Sequence, residues 1–95
     1  MMHNQVPQIE AKANNIFIAL GFDLIMINNT CTYKNNGGYH KLTYVDGLAG
    51  FVIEWAPSLD DAMMGKYEDG DLLPISLGTD ELLCRLGYIL KKQYS

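Results

Sequence analysis

Positive charge is scarce in this chain. Seven Lys and Arg stand against eleven Asp and Glu, a formal net charge of −4 at pH 7. Binding to phosphate requires Lys and Arg in number, so the deficit argues against nucleic acid or an anionic membrane as the main partner. Cysteine is scarce too: Cys31 and Cys84 have no CxxC spacing and no neighbouring His. That excludes a disulfide-built scaffold, and both are expected to be reduced, partly buried thiols. With His3 and His40 they are the only Cys and His residues, scattered at positions 3, 31, 40 and 84. A structural zinc site needs four such ligands at finger spacing, so no metal or other cofactor is expected. No apolar run approaches the roughly 18–20 residues that span a bilayer. His3, Asn4 and Gln5 stand where a signal peptide would need a basic stretch and an apolar core, so a cytoplasmic location is expected.

What is present is an ordinary mixture: 48% hydrophobic residues, including six Tyr, three Phe and one Trp. Ninety-five residues make one domain, residues 1–95, with the first five expected to fray. Val6, Ile9, Ala13, Ile16, Phe17 and Leu20 recur at helical spacing, with Pro7 in the first turn and Gly21 at the C-terminal cap. Residues 22–27 read as a strand, Asn28-Asn29 as a tight turn, and 30–34 as the partner strand. A second turn at 35–38 leads to 39–45, which alternates His40, Leu42 and Tyr44 against Tyr39, Lys41, Thr43 and Val45. A third turn from Asp46 to Gly50 leads to 51–56, which alternates Phe51, Ile53 and Trp55 against Val52, Glu54 and Ala56. Short connections make these strands antiparallel neighbours.

Ser58, three positions before Asp61, caps a short helix that Gly65 ends. Residues 66–71 read as a polar loop around Asp69-Gly70. Residues 72–77, broken by Pro74, read as an extended segment or edge strand. Thr79 opens a last helix with Leu82, Leu83, Leu86, Ile89 and Leu90 as its stripe. The expected fold is α+β: a two-layer sandwich in which a four-stranded antiparallel meander is covered by the N- and C-terminal helices, with a short helix after the last strand.

No catalytic signature emerges. The glycines at 37 and 38 sit between strands rather than before a helix, so they are not a phosphate cradle. Glu68-Asp69-Gly70-Asp71 lacks the alternating acids and distant Glu of a calcium loop. Ser58 and Ser76 have no evident His partner. A hydrogen-bonded or exposed His40 is the ordinary reading. The chain is therefore not expected to be an enzyme.

The acids are unevenly distributed. Residues 54–81 carry Glu54, Asp60, Asp61, Glu68, Asp69, Asp71, Asp80 and Glu81, opposed by Lys66 alone, a net −7. Asp60, Asp61, Asp80 and Glu81 belong to first helical turns, where the helix dipole favours them, and Asp69 before Gly70 is turn chemistry. Glu54, Glu68 and Asp71 lack a local reason. Trp55 and Tyr67 stand beside them, and such aromatics favour interface centres. Trp55 is expected in the core and Tyr67 at the surface. The candidate partner-binding set is therefore Glu54, Trp55, Asp60, Asp61, Tyr67, Glu68, Asp69 and Asp71. A binding surface requires Glu54, Glu68 and Asp71 to converge on one exposed face.

Phe51-Val-Ile-Glu-Trp-Ala, the helix with Leu59 and Ala62, Tyr67-Glu-Asp-Gly-Asp-Leu-Leu-Pro and the closing Leu-rich helix together resemble small immunity proteins of bacterial polymorphic toxin systems. The resemblance is one of general pattern over about half the chain. It implies a non-enzymatic protein that binds and neutralises a toxin, often a basic nuclease, in the cytosol, and carries over no individual residue. The alternative expectation is a small homo-oligomer, such as a homodimer, or an accessory subunit, associating through the sheet face or the Pro74 edge.

Overall fold

In the computed structural model, which describes residues 5–93, helix α1 spans Gln5–Ala19. Gln5, expected to fray, is its first residue; residues 1–4 lie outside the described residues. Gly21, at φ +93°, ends the helix by turning left-handed. The Phe22 N–H then reaches the Phe17 carbonyl at 3.0 Å and the Gly21 N–H the Ile18 carbonyl at 3.0 Å. Phe22 also packs edge-on against Phe17, at 5.2 Å between ring centres. Those two bonds and that apolar contact form a Schellman cap.

Five strands follow, with one short helix between the last two: β1 (Asp23–Ile27), β2 (Thr30–Asn35), β3 (Gly38–Val45), β4 (Gly50–Ala56) and β5 (Glu68–Pro74), in sheet order β1-β2-β3-β4-β5. All neighbours are antiparallel. Asn28 and Asn29 both take positive φ, 52° and 63°, the requirement of a two-residue hairpin whose twist matches the strands. At the next hairpin Gly38, at φ +127°, lies so close to β4 that a Cβ would stand 2.5 Å from the Ala56 carbonyl oxygen. Asp46–Leu48 form a 3-10 turn between β3 and β4.

The sheet has five strands, not four, because residues 68–71, expected as part of a loop, join 72–74 in a full strand along β4, while 75–77, expected to be extended, leave it at Pro74. Glu54 pairs with Asp69 and Val52 with Leu72, so β5 carries one extra residue, a bulge, opposite Ile53. An edge strand with a bulge and a terminal Pro tolerates polar residues that a central strand would not. Ile75–Leu77 then make a 3-10 turn into α3 (Thr79–Gln93).

Helices lie on both sides of the sheet. On one face Tyr33, Phe51, Ile53 and Leu73 meet Ile9, Ala13 and Phe17 of α1 and Leu82, Leu86 and Leu90 of α3 in one buried core. Tyr33 stacks flat on Phe17 at 3.9 Å. The opposite face carries α2 (Leu59–Met63), whose Ala62 joins Ile27 and Ala56 in a second, smaller cluster edged by Ile25, Tyr39 and Tyr67. The two-layer expectation is thus extended by a partial third layer. Ser58 Oγ accepts the Asp61 N–H at 3.2 Å and so caps α2. Cys31 and Cys84 are free thiols, both exposed rather than partly buried. No helix among the described residues is long and apolar enough to cross a membrane.

Candidate partner-binding surface

The strand alternation of β4 separates two of the candidate residues. Glu54 points to the α2 side and Trp55 to the opposite side. Glu54 lies beside Lys41, its Oε1 3.7 Å from Nζ, and accepts a short hydrogen bond from the Thr43 hydroxyl. Lys41 in turn sits over the Tyr67 ring, 4.3 Å from its centre. Thr32, fully buried, lies close enough to the Tyr67 hydroxyl to favour its ionised form. Burial pushes the Tyr67 hydroxyl above its usual pKa of 10.0, eased by Thr32 and reinforced by the Glu54 charge. Thr32, Lys41, Thr43, Glu54 and Tyr67 therefore form one network across three strands and the approach to β5. Glu54 is already served from within the chain, and Tyr67 is half-buried rather than exposed.

Trp55 is half-buried, not a core residue, and its Nε1 donates to the Gly37 carbonyl at 2.7 Å, bracing the β2–β3 turn. Its neighbour across the strands is Glu68. Glu68 and Asp69 are exposed on the edge strand and alternate between its faces. Asp71 sits in the bulge, half-buried, its Oδ2 covered and without a hydrogen-bond partner among the described residues. Asp60 and Asp61 occupy the first turn of α2.

Glu54, Glu68 and Asp71 thus do not converge on one face. Glu54 belongs to an internal network, Glu68 lies across from Trp55, and Asp71 is partly covered. What the fold does gather is Glu68, Asp69 and Asp71 along one free sheet edge. Sequence reasoning missed Lys41, Thr43 and Thr32. The alternation of β3 and β4 already put Lys41, Thr43 and Glu54 on one face of each strand; their register was the missing piece.

Elsewhere, a half-open cleft of ≈ 700 Å³ lies between α1 and β2, lined by Glu10, Asn14, Cys31, Tyr33 and Leu42 among others. The Tyr33 hydroxyl donates to Asn14 Oδ1 at 2.8 Å. Burial, then the charges of Cys31 and Glu10, push its pKa up to about 12, so it stays protonated at neutral pH. His40 does not line the cleft; it is fully buried, its Nδ1 3.2 Å from the Tyr33 carbonyl oxygen. Among the described residues no three His, Cys, Asp or Glu side chains come together as metal ligands. Comparison with protein-family models, with curated proteins and with solved structures finds no match to this chain.

Proposed function

We propose that this chain is a non-enzymatic binding protein that engages and neutralises a basic protein partner, most concretely a toxin. Glu54, Glu68 and Asp71 do not share the one face expected of such a surface, so the reading rests instead on the acidic edge strand: Glu68 and Asp69 are exposed on β5, with Asp71 in its bulge. Asp60 and Asp61 add charge on α2. Carboxylates in such a group steer a cationic partner and raise the association rate by roughly 10–10³-fold at low salt. Trp55, held by its hydrogen bond to Gly37, and Tyr67, covered by Lys41, supply aromatic rims rather than free anchors.

The test is co-expression with the product of the adjacent gene. Toxicity of that product alone, relieved by this chain and accompanied by co-purification, supports the reading. A product that is harmless by itself, or toxic but unaffected by this chain, removes it.

A further inference from the structure

The two edges of the sheet are unlike. β5 carries every common guard against pairing with another strand: acids at Glu68, Asp69 and Asp71, a bulge, and Pro74 at its end. β1 carries none. Its sequence, Asp23-Leu-Ile-Met-Ile27, has no Lys, Pro or bulge, and among the described residues it pairs in register only with β2. Leu24 and Met26 are 43% and 61% exposed on it. The Asn28 side-chain amide donates to the Met63 carbonyl at 2.9 Å, which brings the end of α2 beside the β1–β2 turn. Met63 and Met64 there are also exposed, so the edge is rimmed by adaptable apolar side chains.

The geometry points to β1 as the site where a second copy of this chain pairs, strand to antiparallel strand, about a twofold axis at Ile25. In a two-residue hairpin the flanking residues, here Ile27 and Thr30, share ladder hydrogen bonds. By alternation Ile25 and Asp23 also bond to β2, so the N–H and C=O groups of Leu24 and Met26 face the free edge. Pairing centred on Ile25 sets Leu24 opposite Met26 of the second copy, and both have free backbone groups. It sets Ile25 against its own equivalent in a position that requires no hydrogen bond. Asp23 falls opposite Ile27, and the two Asp23 carboxylates stand four residues apart, roughly 14 Å, so like charges do not meet. An isologous interface needs this self-complementarity. A single five-residue strand pair falls short of the ~800 Å² per partner of a standard interface, so the dimer is weak and concentration-dependent. The inference does not rest on the basic-partner reading: the dimer would leave one acidic β5 edge free at each outer end.

Sedimentation velocity of the full chain from about 10 μM to about 1 mM tests it. The wild type should shift from monomer to dimer across that range. Met26→Lys, which alters an exposed side chain, and Leu24→Pro, which removes an outward-facing donor, should remain monomeric with the circular dichroism of the wild type. Hydrogen exchange on the wild type is an independent readout: the Leu24 and Met26 amides should gain at least about tenfold protection in the concentrated sample. A wild type that stays monomeric to 1 mM overturns the proposal. So does a dimer that Met26→Lys leaves intact, or one whose Leu24 and Met26 amides exchange as fast as in the monomer.

Discussion

His40 sits fully buried on β3, edge-on to Phe22 at 5.2 Å and beside the Tyr33 carbonyl. Burial lowers its pKa below the usual 6.5, and the backbone hydrogen bond to Tyr33 only partly opposes that. The unfolded chain therefore binds the proton more readily, and stability is lost as pH falls below about 6.5 towards the lowered folded value. Thermal unfolding between pH 7 and pH 5 should show a falling midpoint in the wild type and a shallower fall in His40→Gln. Equal slopes would show that another group carries the acid sensitivity. Glu54 gives a second residue-scale prediction. Because Lys41 and Thr43 hold it, Glu54→Gln should cost about 0.5–1 kcal/mol in chemical denaturation and leave partner association within about twofold of wild type. A large loss of association with no loss of stability would return Glu54 to the binding surface.

At the scale of elements, α1 and α3 meet across Ile16 and Gly87. A Cβ at Gly87 would lie 3.9 Å from Ile16 Cγ2, an ordinary contact. Gly87→Ala should therefore gain about 0.5–1 kcal/mol from helix propensity, read as a raised denaturation midpoint; a lower midpoint would mean the helices close more tightly than the contact implies. The helices and the first four strands were legible in the sequence because their signals are local: helical spacing in α1 and α3, Asn28-Asn29 with positive φ, glycine where the chain turns left. β5 was not. Among the described residues one side of it faces no neighbouring strand, and its bulge shifts the register by a residue, so Glu68-Asp69-Gly70-Asp71 lacks alternation and reads as a loop. The side on which α2 packs was equally hidden, since Leu59 and Ala62 fit either face. For the candidate site, the alternation assigned Lys41, Thr43 and Glu54 to one face of each strand. Only the register, Lys41 against Glu54 and Glu54 against Asp69, shows that one carboxylate is neutralised and the next is free.

Across the whole molecule the two sheet edges differ: β5 carries three acids beside an exposed Leu72, and β1 carries one, Asp23, beside exposed Leu24 and Met26. The acids of β5 guard that edge against other strands and, on the proposed function, would steer a cationic partner, while β1 exposes backbone groups and Met26. The central proposal concerns the acidic edge, and once the adjacent gene's product has been found toxic, its association rate with this chain tests that proposal most directly. At low salt the double variant Glu68→Lys, Asp69→Lys should associate at least about tenfold more slowly than the wild type. The wild-type rate should also fall steeply as salt is raised to about 0.15 M, where exposed charges more than about 8 Å apart are largely screened. Equal rates for the two proteins, with no dependence on salt, would contradict the account.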